Sequence, residues 1–330
     1  MNKFLLLALL LLFNFQLAFS KKALDSPGNT YAVILNGGKN LDGNKENYWN
    51  DCSFFYMTLR NVYDVPRENI KVLMADGTDP SVDMKLEGNE TLYISSPLDL
   101  DDDGIDDIEY SATRDNLKNV FADLSNVVTP NDHLLVFVID HGSVNRAGIS
   151  QICLWGDSIS APELSDMVKP LDVGYMTFVL GQCYAGGFEK YLRADNRLIL
   201  TACREYEKSY CREEELYDEF VYQFTSALAG YTPYDEPVDA DYNGDGTVSI
   251  VEAYRYAEEN DGYNDGDFSF GSIREHPSIS YLEGSNAAVL SALRQRRHGQ
   301  PDSDGDVRRE RRQGRGVQAE ISRIDIPLKG

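Results

Sequence analysis

The chain has 330 residues, with 54 Asp and Glu against 31 Lys and Arg and a net charge of −23. Phosphate backbones are bound by basic stripes, so this balance argues against nucleic acid as a partner. Five cysteines in so long a chain, with no CxxC pair, remove a disulfide scaffold and a structural zinc site from consideration.

Residues 1–20, MNKFLLLALLLLFNFQLAFS, place Lys3 before a long apolar run and end in the small-x-small sequence Ala18-Phe19-Ser20. That pattern reads as a secretory signal peptide, and no other stretch is long and apolar enough to span a bilayer. The mature chain is therefore expected outside the cytoplasm, in a periplasmic, cell-surface or secreted setting, with no stable membrane span after signal cleavage. Residues 21–290 read as one wound α/β domain, and residues 291–330, rich in Arg, Gln and Gly, as a basic disordered tail. Nothing in the sequence fixes an oligomeric state.

Within the domain the elements alternate. The pattern predicts a strand over 30–35, a helix over 49–62, a strand over 70–74, and a short extended piece over 92–95. A helix follows Thr113 to about 126, then a strand over 133–139, a helix over 160–167 opened by the Ser160/Glu163 capping box, and a strand over 175–180. A strand over 198–201, a helix over 214–229 and a helix over 249–259 complete the series. Alternating β and α elements predict a mostly parallel sheet covered on both faces.

Two strand ends carry chemistry. HLLVFVI is followed by Asp140-His141-Gly142-Ser143, and YMTFVLG by Gln182-Cys183-Tyr184 and the small residues Ala185, Gly186 and Gly187. In open parallel sheets the reactive crevice lies beyond the carboxyl ends of the strands. An imidazole beside a thiol makes it a competent nucleophile, and the Gly142 and Cys183 N–H groups suit an oxyanion. The residues alone leave two readings: this one, or Cys183 as a small core side chain beside a polar loop histidine.

Together these motifs resemble the legumain-like branch of the caspase-like, or clan CD, cysteine peptidases. NYWNDCSFFY is similar to that branch's first helix, and TACREYEKSYCREEELYDEF to its pocket-forming segment. The resemblance implies a caspase-like α/β/α sandwich and a secreted cysteine endopeptidase acting on protein or peptide substrates through a thioester acyl-enzyme. It implies His141 and Cys183 as the dyad, Gly142 as an oxyanion donor, Ser209 and Asp218 as substrate-pocket residues, and Asn40 as an orienter of His141. Asn47 stands where the branch has Arg, and Tyr184 where it has an acidic residue; a pocket that keeps a carboxylate and loses an Arg points to cleavage after Asn or a basic residue. An amine intercepting the acyl-enzyme would make the same site a transpeptidase. The competing class is an inactive, calcium-binding surface protein on the same fold.

With Cys183 set aside, Cys52, Cys153, Cys203 and Cys211 allow at most two disulfides, and Cys203 with Cys211 is the pair nearest in sequence. DYNGDGTVSIVE follows the EF-type calcium template over 241–252. Asp241, Asn243, Asp245, Ser249 and Glu252 stand at its side-chain positions, with Gly246 at the turn and the Thr247 carbonyl at the seventh position. Pro233 and Pro237 preclude a regular entering helix, so a structural Ca2+ is expected on an EF-type loop without a complete hand. A second acidic loop, 99–110, carries Asp99, Asp101, Asp103 and Asp107 in similar order, but its twelfth position is Tyr110.

Overall fold

A computed structural model describes residues 28–86, 92–212, 216–263 and 274–282. The expected signal peptide and basic tail lie outside these residues. Along the first half run β1 (Thr30–Asn36), α1 (Glu46–Asn61), β2 (Ile70–Met74), β3 (Met84–Lys85), β4 (Tyr93–Ile94), β5 (Ile108–Tyr110), α2 (Arg114–Leu124) and β6 (His133–Val138). The second half adds β7 (Gly142–Val144), β8 (Ser150–Leu154), β9 (Asp157–Ser160), α3 (Ala161–Val168), β10 (Tyr175–Leu180), α4 (Glu189–Leu192) and β11 (Arg197–Thr201). After these come β12 (Cys211–Arg212), β13 (Tyr217–Asp218), α5 (Glu219–Ala229), α6 (Ile250–Asn260) and β14 (Ser278–Ser280).

The central sheet has the order β14-β11-β10-β6-β1-β2-β5, and every pairing is parallel except that of β14 with β11. Its strands bury both faces, which is why they read as continuous apolar runs and not as alternating ones. On one face Ala32, Ile34, Leu135 and Phe137 pack against α1, α5 and α6; Phe55 of α1 stacks on Phe137 with ring centroids 4.1 Å apart. On the other, Val33, Leu35, Leu134, Val136 and Val138 meet Leu117 and Phe121 of α2, Leu164 and Val168 of α3, and Leu192 of α4. This is an α/β/α sandwich with a mostly parallel sheet, as the sequence pattern predicts. Among the described residues no helix is long and apolar enough to cross a membrane.

Several local expectations shift. The piece over 92–95 is half of a hairpin, β3 with β4, outside the main sheet. The helix expected from 214 begins at Glu219, because Tyr217–Asp218 pair with Cys211–Arg212. Helix α1 starts at Glu46, three residues before its apolar spacing does, on a polar but buried first turn. The antiparallel meander β7-β8-β9 fills residues 142–160 between the histidine and α3. All five cysteines are free thiols. The Cys203 thiol points to the Gln182 and Glu207 carbonyls, at 3.6 and 3.4 Å, and not to Cys211.

Candidate active site

Register explains why the two motifs meet. Val138 of β6 pairs with Leu180 of β10, and from that common level His141 and Cys183 each lie three residues further on. The chain leaves both strands at the same edge. There Gly142 packs directly on Cys183: a Cβ at Gly142 would lie 1.8 Å from the Cys183 carbonyl oxygen, so no other residue fits this approach. The Cys153 N–H donates to the His141 carbonyl at 3.0 Å, which makes Gly142 a non-hydrogen-bonded position of the β7–β8 ladder and turns its N–H away from β8. Asp140 ties the turn together. Its buried carboxylate accepts from the N–H groups of Gly37 at 2.6 Å, Gly38 at 3.1 Å and His141 at 2.5 Å. Burial pushes its pKa up, and these three donors oppose that rise.

His141 is held by two partners, neither of them Cys183. Its Nε2 lies 3.0 Å from the Gly43 carbonyl and its Nδ1 lies 3.1 Å from the Tyr48 hydroxyl. Asn40 does not touch the ring. Its side-chain oxygen accepts from the Gly43 N–H at 3.0 Å and its carbonyl from the Asn44 N–H at 2.8 Å. The Asn40 side chain thus shapes the turn that presents the Gly43 carbonyl, and the orienting group is a backbone oxygen. Burial lowers the His141 pKa, and Lys45 and Lys39 lower it further, against the Gly43 carbonyl. The ring is accordingly neutral at neutral pH.

The Cys183 thiol faces the segment after β11. Its Sγ lies 3.8 Å from the Ser209 carbonyl and 3.7 Å from the Ser209 hydroxyl. Tyr184 follows in the left-handed region at φ 61°, a conformation that costs a non-glycine residue about 1 kcal/mol or more, and its N–H donates to the Glu207 carbonyl at 2.8 Å. Asp218 is brought in from 35 residues downstream of Cys183, 6% exposed. The Asn47 amide donates to its carboxylate, and its own N–H donates to the Asp51 carboxylate at 3.1 Å. Asn47 therefore meets Asp218 as a neutral donor. Burial and the neighbouring Asp218 hold the Asp51 pKa well up, so this pair carries closer to one charge than two. Glu275, fully buried, accepts from the Tyr210 N–H at 2.7 Å, and its pKa is likewise pushed up, by burial first and by Asp261 next.

A cysteine and a histidine at adjacent parallel strand ends, with the buried carboxylates Asp51 and Asp218 paired close by, are the features a comparison with known families must explain. The sequence model of the peptidase C13 family matches residues 30–230. The chain belongs to the peptidase C13 family. This is the legumain family of clan CD, so the protein is a cysteine-type peptidase, a hydrolase of protein substrates. Among curated proteins none matches the chain. The matched span of this C13 peptidase runs from β1 to the end of α5 and takes in His141, Cys183, Ser209 and Asp218. Tyr48, Asp140 and Gly43 lie in the same span and do not figure in the expected site. For Tyr48 the sequence signal is a cluster of polar residues, Asn47, Asn50 and Asp51, on the buried side of the same helix; Asp140 stands beside His141 in the strand-end motif.

The EF-type loop lies beyond the family match. Asp241 accepts from the N–H groups of Gly244, Asp245 and Gly246, at 2.9, 3.1 and 2.7 Å, and no helix precedes it after Ala229. Glu252 reaches back: its carboxylate accepts from the Asn243 N–H at 3.1 Å and closes a capping box with Ser249. Among the described residues the carboxylates whose oxygens converge within 4.8 Å are Asp99, Asp101 and Asp107 instead. That cluster holds an Arg. Arg67 Nη2 lies 2.8 Å from Asp103, 3.1 Å from Asp107 and 3.9 Å from Asp101.

Proposed function

We propose that this C13 peptidase is a secreted or extracytoplasmic endopeptidase that works through a His141–Cys183 dyad and cleaves after Asn or a basic residue. The observation that carries the reading is the packing of Gly142 on Cys183 at a shared level of β6 and β10, which puts a neutral imidazole and a thiol on one edge. The thiol proton passes to His141 and Sγ attacks the scissile carbonyl. The Gly142 and Cys183 N–H groups receive the oxyanion, which in a water-poor site contributes about 3 kcal/mol per donor. The amine leaves with the proton from His141, and water, deprotonated by the same ring, releases the thioester.

Ser209 and Asp218 line the pocket for the residue before the cleaved bond. With Asn47 neutral, Asp218 is the charge that a Lys or Arg side chain meets, and an Asn amide can be bound by Asp218 and the Ser209 hydroxyl without it. A structural Ca2+ fits the loop 241–252 in donor chemistry and order: Asp241, Asn243, Asp245, the Thr247 carbonyl, Ser249 and Glu252 supply hard oxygens. Calcium would supply cross-linking charge to that loop and takes no part in the chemistry.

The test is a pair of variants assayed on a peptide library. Cys183→Ala should abolish hydrolysis and the labelling by low iodoacetamide assigned to that position, and full activity in it would refute the dyad. Asp218→Asn should lower kcat/KM on Lys and Arg substrates by about 100-fold while costing Asn substrates about tenfold or less. Equal losses on both would remove Asp218 as the charge partner.

A further inference from the structure

The neutral histidine of the site has only one nitrogen free to act as a base, and that nitrogen is covered. A carbonyl oxygen can only accept, so the Gly43 carbonyl at 3.0 Å fixes the ring proton on Nε2. The lone pair is then on Nδ1, where the Tyr48 hydroxyl lies 3.1 Å away and must donate. The two rings meet edge to face, 5.3 Å apart at 89°, so the phenol is held in that place by packing as well. Tyr48 is 6% exposed. Burial, with Asp218, Asp140 and Cys183 nearby, keeps it a phenol and hence a donor. Meanwhile the Cys183 thiol is turned to Ser209.

We infer that Tyr48 is a positioning residue that caps the Nδ1 lone pair of His141 in the substrate-free enzyme and gives it up when a side chain enters the Asp218 pocket. The proposal rests on the His141–Cys183 reading. Its structural basis is that Asn47 and Tyr48 are consecutive on the first turn of α1, one bonded to the pocket carboxylate and the other to the base. A substrate side chain that competes with Asn47 for Asp218 pushes on the turn that carries the phenol. With the cap withdrawn, the Sγ–H bond of Cys183 breaks and an Nδ1–H bond forms, leaving thiolate and imidazolium, while the phenol keeps its own proton throughout. The enzyme thereby holds its nucleophile as a thiol until the pocket is filled.

The charged and titratable groups around the ring are Lys39 and Lys45 from the loop before α1, Tyr48 on α1, Asp140 before it, Cys153 on β8 and Cys183 after β10. Tyr48→Phe changes one of these and keeps the ring packing. The experiment measures iodoacetamide labelling of Cys183 without substrate from pH 4 to 9, and the pH profile of kcat/KM, in the wild type and Tyr48→Phe. Loss of a donor to Nδ1 favours the protonated ring, so the acid limb of kcat/KM should move up by about one pH unit, and substrate-free labelling near neutrality should rise about tenfold. Selective 15N labelling of histidine in the wild type should show His141 protonated on Nε2. Superimposable labelling and pH profiles in wild type and Tyr48→Phe, or a proton on Nδ1, would overturn the cap. Cys183→Ala and His141→Ala run alongside: activity surviving in those variants would instead sink the dyad itself, so the two failures are distinguishable.

Discussion

Strands β6 and β10 carry a histidine contact at each end, and the two contacts are opposites. At the start of β6, His133 is buried, its Nε2 lies 2.9 Å from the Thr177 hydroxyl of β10, and its Nδ1 is buried without a partner. Burial alone lowers its pKa to about 4. Past the other end, His141 has a partner on each nitrogen and is half-exposed. One histidine is kept neutral by exclusion of water, and the other by burial opposed by a carbonyl, with two lysines adding to the effect. The difference lies in the backbone. Within a strand a side chain is enclosed by the layers on both faces, whereas past the strand's end the chain turns and polar backbone groups become available as partners.

The largest effect should separate the two ends outright. His141→Ala removes the proposed base and is expected to lower kcat by about 10³- to 10⁴-fold with the thermal midpoint nearly unchanged. His133→Gln should leave kcat within about threefold. Steady-state kinetics on a peptide substrate decides this, and a comparable loss in His133→Gln would dissolve the distinction between a chemical and a structural histidine.

What the sequence discloses follows the same division. The buried strands 70–74 and 175–180 are legible to the residue because enclosure on both faces demands unbroken apolar runs. The ends of β6 and β10 are legible too, as Asp140-His141-Gly142 and Gln182-Cys183. The partners of the site are not. Gly43 and Tyr48 reach His141 across more than 90 residues of sequence, and one of them acts through a carbonyl that every residue possesses. The meander over 142–160 is equally hidden, since strands of three to five residues with mixed polarity leave no period to detect. Asn40 shows how an assignment can be near and still act indirectly: its side chain builds the turn and its neighbour makes the contact.

A second measurement sharpens the comparison through pH. His133 titrates at about 4 in the folded chain against about 6.5 when unfolded, so as pH falls from 6.5 to 4 the unfolded chain binds a proton that the native one refuses. Stability is lost over that window by about 3 kcal/mol from this residue alone. Asp51, Asp140 and Glu275 have raised pKa values and act in the opposite sense, their contribution being lost as pH rises above the ordinary carboxylate range. The difference between wild type and His133→Gln isolates the histidine. Urea unfolding at pH 7 and pH 4.5 should show a shallower acid loss in the variant, and parallel losses would mean that the buried ring is not the acid-sensitive group.

The smallest effect concerns calcium, and it should reach only one end of the strands. The loop over 241–252 leads into α6, whose C-terminal end meets α5: Gln223 donates to the Asn260 carbonyl at 3.2 Å, and the Gly262 N–H to Glu219 at 3.2 Å. Glu219 follows Asp218 directly, so the loop is linked to the Asp218 end through two helices. Glu252 is already folded into the loop as a cap, hence Glu252→Gln keeps its shape while weakening a bidentate carboxylate. If the proposed site binds calcium with a dissociation constant of about 10⁻⁵ to 10⁻³ M, 10 mM calcium should stabilise the fold by roughly 1–4 kcal/mol through mass action. That corresponds to roughly 2–16 °C of thermal midpoint in a domain of this size. Glu252→Gln should lose most of that shift at pH 7.5, while the acid loss assigned to His133 stays the same with and without calcium. A calcium response unchanged in Glu252→Gln would exclude this loop as the site. A calcium-dependent acid loss would show instead that the two ends of β6 are coupled.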